Sequence, residues 1–244
     1  MSLSNPAFQR PHHQRIAQVL VALNAPLLRD NACLFGGGTA IALRYGEFRE
    51  SVDVDFLVSD VGGYRKLRQL LTGPAGIGAI ARRGATLTQT REVRADQYGI
   101  RTMLLVDGQE IKFEIVLEGR IELALPGAAD RVCGVASLTP LDMATSKLLA
   151  NSDRWADDGV FSRDVIDLAM MGLRRPVLNA AIAKAEKPYG ASVLADLAKA
   201  IAQLKSRQGR LERCMQAMGI QLPKAVLWQK IRTLERVLPK GEVV

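Results

Sequence analysis

The chain has 244 residues, of which 48% are hydrophobic and 24% charged, and it carries a formal net charge of +8. This composition excludes disordered and collagen-like chains, and the length allows one large domain or two small ones. No apolar run approaches the about 20 residues that a bilayer span needs, and the polar N-terminal segment is no secretory signal, so we expect a cytoplasmic protein that does not enter a membrane.

The first predicted elements alternate between helix and strand. Apolar residues at spacings of three and four predict an amphipathic helix over residues 14–28, with Pro26 at a kink or at its end. A short apolar strand at residues 33–35 follows. Three glycines at residues 36–38 end that strand, and a helix is predicted to start at Thr39, whose hydroxyl is available as a cap.

A second strand is predicted over residues 51–58, where apolar and polar side chains alternate. Its polar face carries Asp53 and Asp55. A short helix is predicted over residues 64–71, and the Gly-Pro pair that follows it stops the helix.

Further strands are predicted in the next part of the chain. They cover residues 86–88, 100–106 and 111–116. Asp107 and Gly108 form a ready hairpin turn between the last two, which should therefore pair antiparallel.

From residue 139 onward the pattern is helical throughout. The predicted helices cover residues 141–150, 163–173, 176–186, 191–205, 209–218 and 223–238. We therefore predict an α/β (α+β) chain, with a mixed sheet domain and its N-terminal helix over residues 1–138 and an all-helical domain over residues 139–244.

Positive charge is concentrated in the helical part. Residues 174–240 contain 14 Lys and Arg against four acidic residues, a net charge of +10, which leaves −2 for the rest of the chain. This separation is typical of a protein that holds a polyanion with one segment while chemistry takes place elsewhere. A solvated basic helical face is the alternative.

Cysteine and histidine placement excludes several kinds of site. The three cysteines are far apart, so neither a disulfide framework nor a cysteine-based zinc site is indicated. His12 and His13 are adjacent near the N-terminus, where we expect them to cap or precede the first helix. Histidine-centred catalytic triads therefore lack their central residue, and catalysis is left to carboxylates and cations.

Asp53 and Asp55 are the candidate catalytic carboxylates. Residues two apart on a strand project from the same face, within reach of one or two divalent cations. In two-metal phosphoryl transfer one cation activates the attacking hydroxyl and the other holds the triphosphate, and a third carboxylate is usually present. Glu114 is the candidate for this third position if its strand lies beside that of the aspartates. A solvated strand face is the alternative.

The glycine turn before Thr39 is a candidate phosphate site. Backbone N–H groups in a glycine-rich turn at a helix N-terminus bind phosphate oxygens, and glycine lets the phosphate approach closely. The turn lacks the last glycine of G-x-G-x-x-G and is not followed by G-K-[ST], so neither a Rossmann nor a Walker A loop is supported. A plain tight turn is the alternative.

These residues resemble a known family. Residues 37–46 (GGTAIALRYG) and 48–56 (FRESVDVDF) resemble the first motif of the AbiEii/AbiGii-type nucleotidyltransferases of the DNA polymerase β-like superfamily. Residues 142–147 resemble the family's D-x-x-x-x-K element, and residues 163–168 (RDVIDL) its closing R-D-x-x-D motif. The resemblance covers residues 35–168, with the motifs in order.

The resemblance implies a nucleotidyltransferase sheet domain followed by a helical part. The implied activity is transfer of a nucleoside monophosphate from an NTP, with release of pyrophosphate. Carried over by position, Asp53 and Asp55 would bind Mg²⁺, with Glu114 as the third metal-binding and catalytic carboxylate. Glu114 stands where many superfamily members carry Asp, and its extra methylene would move the metal or base position.

The resemblance also implies nucleotide-binding residues in the sheet domain. Gly37, Gly38 and Thr39 would cradle the triphosphate, and Ser51 would lie at its edge. Gly38 occupies a position that is often Ser in the superfamily, so a hydroxyl contact must come from Thr39 or be absent.

Three residues of the helical domain complete the predicted site. Lys147 would neutralise phosphate charge, and Asp164 would orient that lysine or contact the nucleotide. Asp167 is expected on the same helix face as Asp164 and is predicted to take part in nucleotide binding. An exposed helix lysine and a surface ion pair are the alternatives.

We therefore expect a Mg²⁺-dependent nucleotidyltransferase that uses an NTP and modifies RNA, with tRNA as the favoured acceptor. It would act as a toxin of a toxin–antitoxin or abortive-infection system, with a cognate antitoxin as a possible partner. The first alternative is a nucleotidyltransferase that modifies a small molecule or a protein hydroxyl. The second is a catalytically inactive module that binds nucleotide or RNA.

Overall fold

The computed structural model describes residues 8–239, which divide into two compact units. The first unit extends to Thr139, and the second starts at Pro140. Within residues 8–239, no helix has both the length and the apolar character needed to cross a bilayer.

The first unit combines helices with short and long strands. Along the chain its elements are α1 (Pro11–Ala22), α2 (Ala25–Asp30), β1 (Leu34–Phe35), α3 (Gly37–Arg44), β2 (Val54–Val58), α4 (Val61–Leu71), a 3-10 helix (Gly76–Ile80), β3 (Thr88–Gln89), β4 (Arg94–Ala95), β5 (Gly99–Val106), β6 (Gln109–Leu117), β7 (Arg131–Val132) and β8 (Val135–Ala136).

The single helix predicted over residues 14–28 is wrong, because two helices cover this segment. The side chain of Asn24 accepts a hydrogen bond from the Leu27 N–H and caps the start of α2. Pro26 sits in the first turn of α2, where its missing N–H costs no helical hydrogen bond. A capped second helix is therefore favoured over a kinked single one.

The main sheet is mixed, with strand order β1-β2-β6-β5-β3, and β4 also pairs with β5. Strands β2 and β6 are parallel, whereas β1–β2 and β5–β6 are antiparallel. The predicted hairpin between β5 and β6 is confirmed. Its turn residues Asp107 and Gly108 have φ angles of +49° and +75°, the left-handed pair that matches strand twist in a two-residue hairpin.

Strand β2 begins three residues later than predicted. Val52 was expected on the buried face but is 47% exposed, and the strand starts at Val54. The reason is local: the Ser51 N–H donates to His13 Nε2 (3.2 Å) instead of pairing with a neighbouring strand. Asp53 therefore lies just before β2, and Asp55 lies within it.

Three buried phenyl rings fix the strands that carry the candidate site. Phe35 on β1, Phe56 on β2 and Phe113 on β6 form a continuous row, with ring centroids 5.6 Å apart at each of the two contacts. Aromatic burial and tilted ring contacts each favour this arrangement. The relative positions of β1, β2 and β6 are thereby set from the core side of the sheet.

In the described part of the second unit, all regular elements are helices. Its elements are α5 (Pro140–Arg154), a 3-10 helix (Asp158–Val160), α6 (Arg163–Met170), α7 (Arg175–Tyr189), α8 (Ser192–Ser206), α9 (Arg210–Ala217), α10 (Lys224–Leu234) and a 3-10 helix (Glu235–Val237). The last predicted helix, over residues 223–238, is shorter than expected because it changes to a 3-10 turn after Leu234. The predicted fold class, a mixed sheet followed by helices, is confirmed.

Candidate functional site

The glycine turn lies directly against the carboxylate of Asp55. The Gly36 N–H donates to the backbone oxygen of Asp55 (2.9 Å), which joins the end of β1 to the second residue of β2. Gly37 has φ +67°, and a Cβ built there would lie 2.5 Å from Asp55 Oδ2. Only glycine fits at this position. The N–H groups of the first turn of α3, which have no helical partner, are thus placed beside the acid.

The hydroxyl of Thr39, predicted to help cradle the triphosphate, contacts that of Ser51, predicted at its edge. Thr39 Oγ1 and Ser51 Oγ are 2.8 Å apart. Thr39 is 1% exposed, whereas Gly37 and Gly38 are half-buried. A phosphate approaching this turn would therefore first meet glycine backbone, with the Thr39 hydroxyl behind it.

Glu114 lies beside Asp55, as its predicted role requires. The parallel pairing of β2 with β6 sets Asp55 opposite Glu114. Arg101 Nε and Lys112 Nζ each contact the Glu114 carboxylate at 2.5 Å. Burial raises the pKa of Glu114, but the two cations outweigh it and hold that pKa below its usual value. Glu114 is therefore an ionised side chain with two cationic partners.

The acidic cluster, which consists of Asp53, Asp55 and Glu114, is not a preformed three-carboxylate metal site. In the described part of the chain, no group of three or more His, Cys, Asp and Glu side chains is arranged to hold a metal ion. Mg²⁺ is typically bound through one or two carboxylates plus substrate phosphates, and it keeps several waters. The donor chemistry of Asp53 and Asp55, next to the glycine turn, fits Mg²⁺ bound together with a nucleotide.

The negative charge of this cluster affects the pKa of Lys112. Burial lowers the pKa of its ammonium, but Glu114, Asp55 and Asp53 raise it, and the net shift is upward. The lysine therefore stays charged and partly neutralises three carboxylates. A divalent cation bound at the aspartates would compete with this interaction.

His13 has a structural role at this site that the sequence interpretation missed. It is the third residue of α1 rather than a capping or preceding residue, and its side chain is fully buried. Since the Ser51 N–H can only donate, Nε2 accepts and Nδ1 carries the proton that it donates to Glu47 Oε1 (2.8 Å). Burial lowers the pKa of His13 despite the nearby Glu47. The available signal was spacing, because His13 shares the buried face of α1 with Ile16.

In the second unit, Lys147 joins two acidic residues in a buried cluster. Its Nζ is 2.9 Å from Asp164 Oδ1 and 2.7 Å from Asp167 Oδ2. Arg154 also contacts both oxygens of Asp164, at 2.7 and 2.9 Å. Burial raises the pKa of Asp164, but Lys147 and Arg154 reverse this and hold it far below its usual value.

Of the acidic residues singled out in the helical unit, Asp164 and Asp167 contact Lys147, whereas Asp142 does not belong to this cluster. Asp164 orients Lys147 by direct contact, and Asp167 lies on the same face of α6, fully buried. Asp142 is on another side of α5 and pairs with Lys184 instead. In this structure Asp167 therefore acts as a partner of the lysine and exposes no surface to a ligand.

The turn before α6 is held in a strained conformation. Phe161 and Ser162 have φ angles of +54° and +51°, a left-handed pair that is unfavourable for residues with a Cβ. Arg210, which is 2% exposed, donates from Nη2 to Ser162 Oγ (3.3 Å) and pairs with Asp158. These contacts stabilise the turn that places Asp164 at the start of α6.

Comparison with known proteins places the chain in one family. It matches the family described as "Nucleotidyl transferase AbiEii toxin, Type IV TA system" over residues 18–234. JHP933 from Helicobacter pylori shares the fold at 15% identity, with a TM-score of 0.52 over 95% of this chain and 93% of that chain. A candidate nucleotidyltransferase from H. pylori is also 15% identical, with a TM-score of 0.49 over 93% of this chain and 92% of that chain. No curated protein matches.

Proposed function

Because the chain belongs to the AbiEii family of nucleotidyl transferase toxins, we propose that it transfers a nucleoside monophosphate from an NTP to a hydroxyl of an RNA, with tRNA as the favoured acceptor. The reaction forms a bond between the acceptor oxygen and the α-phosphorus. It breaks the bond between that phosphorus and the bridging oxygen of the β-phosphate, and pyrophosphate leaves. The acceptor hydroxyl loses its proton.

The contact between Gly37 and Asp55 is the observation that carries this proposal. A Cβ on Gly37 would lie 2.5 Å from Asp55 Oδ2, so the phosphate-binding turn and the acidic strand share one small space. A nucleoside triphosphate with a divalent cation needs both features together, because its phosphates take N–H donors and its cation takes carboxylate oxygens. An acidic strand face without a ligand has no need of such a close turn.

Each residue of the sheet unit has a defined task in this proposal. Asp53 and Asp55 would hold Mg²⁺, which when bound polarises the α-phosphate and offsets the charge of the triphosphate. The N–H groups at Gly37 and Gly38 bind phosphate oxygens, and the Thr39 hydroxyl, held by Ser51, borders them. Glu114 would accept the proton of the attacking hydroxyl or join Asp55 at the cation.

The helical unit contributes the ion-pair cluster around Lys147. Asp164 and Asp167 hold the Lys147 ammonium in a fixed orientation. The pairing of Asp164 with Arg154 leaves the cluster close to neutral, since two cations face two carboxylates.

Charge supports a polyanionic acceptor. Residues 174–240 have a net charge of +10, whereas the rest of the chain has −2. A cationic acceptor such as an aminoglycoside would be repelled by this segment, whereas RNA would be attracted. An antitoxin that relieves the toxic effect is the expected partner of a protein from this family.

Transfer of α-³²P label from each of the four NTPs to total tRNA, in the presence of Mg²⁺, tests the proposal. We expect label from at least one NTP with the native protein and its loss with Asp55→Asn. Asp30→Asn is the matched control, because Asp30 is an exposed carboxylate at the end of α2. It should retain native labelling.

Absence of label on RNA, while Mg²⁺-dependent NTP binding persists, would contradict the RNA acceptor and direct the search to small molecules or proteins. Equal labelling by the native protein and Asp55→Asn would contradict the assignment of the site.

A further inference from the structure

A row of charged side chains crosses the sheet from the acidic cluster to its edge. Strand pairing sets Asp55 opposite Glu114, Glu114 opposite Arg101, and Arg101 opposite Arg94. Residues directly opposite each other in a sheet lie on the same face. One face of β2, β6, β5 and β4 therefore carries two acids followed by two arginines.

The direction of this row matters because displacement at phosphorus is in line. The attacking oxygen and the departing pyrophosphate lie on opposite sides of the α-phosphorus. The glycine turn follows β1, and β1 and β6 flank β2 on opposite sides. If the triphosphate lies in the glycine turn, as proposed above, then the acceptor hydroxyl approaches over β6 and β5. The row of arginines lies on that approach.

Arg101 is already oriented to bind an anion. Its Nε donates to Glu114, and its Nη1 donates to Asp96 Oδ2 (3.2 Å). Asp96 is held in turn by the N–H groups of Tyr98 (2.7 Å) and Gly99 (2.9 Å). The Arg101 side chain is nevertheless 41% exposed. A guanidinium fixed by two carboxylates and open to solvent loses little conformational entropy when it binds phosphate.

Gly99 provides the space that Arg101 occupies. A Cβ at Gly99 would lie 3.0 Å from Arg101 Nη2 and 3.2 Å from Arg101 Cζ. These distances are tighter than ordinary contact, so a larger residue would displace the guanidinium. Because Gly99 has no Cβ, Arg101 Nη2 can lie close to the strand, beside the acidic cluster.

Arg94 adds a second positive charge next to the first. It is exposed, and its backbone pairs directly with that of Arg101. Like charges directly opposite each other destabilise a sheet, and a phosphate bound between them would remove this repulsion. With strands about 4.8 Å apart, Arg101 lies about 10 Å and Arg94 about 15 Å from Asp55 across the sheet. These are distances that the last nucleotides of a single strand can cover.

We propose that Arg94 and Arg101 bind phosphodiester groups of the acceptor strand next to its attacking hydroxyl. The inference rests on the proposed function, since the in-line argument needs a triphosphate at the glycine turn. It goes further in naming the path by which the nucleic acid reaches the site and the residues that hold it. The occupant is a single-stranded end, because a row one residue wide offers no surface for a duplex.

The test compares Arg94→Ala with Arg91→Ala. Arg91 is an exposed arginine in the same region, and it pairs with Glu110 outside the row. Steady-state transfer is measured with RNA and NTP varied separately. Arg94→Ala should raise the KM for RNA about tenfold, leave the KM for the NTP unchanged, and reduce the slope of log binding constant against log salt by about one. Arg91→Ala should behave like the native protein.

Arg101→Lys serves as a second variant. It keeps a positive charge beside Glu114 but loses the planar guanidinium, so it should raise the KM for RNA as Arg94→Ala does. An increase confined to the KM for the NTP, in either variant, would overturn the proposal and place the row at the triphosphate. Equal KM values for RNA in Arg94→Ala and Arg91→Ala would also overturn it.

A binding arm separates this proposal from the proposed function. Fluorescence anisotropy with a labelled single-stranded RNA, without NTP, is measured for the same variants over a range of salt concentrations. If the native protein transfers no label to RNA, the proposed function fails. In that case, a weaker salt dependence of RNA binding in Arg94→Ala alone would still support phosphate binding by Arg94 and Arg101. Equal salt dependence in Arg94→Ala and Arg91→Ala would refute it.

Discussion

Replacing Gly37 with Ala should lower activity about 100-fold at a moderate cost in stability. Gly37 has φ +67°, where a residue with a Cβ is destabilised by roughly 1–2 kcal/mol. The new Cβ would also lie 2.5 Å from Asp55 Oδ2, whereas ordinary contact begins at 3.4 Å. The Asp55 carboxylate must therefore move by about 0.9 Å. A displacement of this size at a reacting centre costs about 100-fold in rate.

Gly46→Ala is the matched control for this substitution. Gly46 also has a positive φ, +84°, but a Cβ there would meet nothing within 4 Å. Urea unfolding should show a loss of roughly 1–2 kcal/mol for Gly46→Ala and at least as much for Gly37→Ala. In the label-transfer assay, only Gly37→Ala should fall, by about 100-fold. Equal activities of the two variants would refute the claim that the turn and Asp55 form one site.

Three further substitutions have defined outcomes. Lys147→Met leaves two buried carboxylates without their lysine, so the free energy of unfolding in urea should fall by about 3–5 kcal/mol; a fall below about 1 kcal/mol would contradict the buried cluster. Thr39→Val removes the hydroxyl contact with Ser51 and should raise the KM for the NTP while leaving the KM for RNA unchanged; an increase for RNA alone would contradict its placement. Because burial lowers the pKa of His13, the neutral form is favoured in the folded state. Its contribution to stability is complete above pH about 6.5 and is lost as the pH falls below that value, so melting temperatures of the native protein should decline there more steeply than those of His13→Gln; parallel declines would contradict this.

Local patterns in the sequence were sufficient for most of the secondary structure and for the family. The hairpin at Asp107 and Gly108 follows from a turn pair between two alternating runs, and both signals lie within a few residues of each other. The resemblance to the AbiEii family is confirmed by a match over residues 18–234. It rested on short motifs whose spacing along the chain is itself the signal.

Contacts between distant segments were beyond the sequence patterns. The parallel pairing that sets Asp55 opposite Glu114 joins strands about 60 residues apart, and no local signal encodes it. No local signal encodes both cations at Glu114 either, because Lys112 lies on β6 with Glu114 but Arg101 lies on β5.

The burial of individual polar side chains could not be predicted from local sequence patterns either. Lys147 was expected to face a ligand but is 6% exposed, because α6 brings two aspartates to its ammonium. His13 was expected to cap or precede the first helix but is its third residue and fully buried, because residues 47 and 51 pack against it from a distant loop. In both cases the partner residues decide the environment, and they come from elsewhere in the chain.

We propose that Asp53, Asp55 and the glycine turn form one site for a nucleotide and a divalent cation. Electron paramagnetic resonance of Mn²⁺, titrated with a non-hydrolysable NTP analogue, tests it most directly. The native protein and Asp30→Asn should immobilise Mn²⁺ when the analogue is present, and Asp55→Asn and Gly37→Ala should not. Immobilisation of Mn²⁺ by all four proteins to the same extent would contradict the claim.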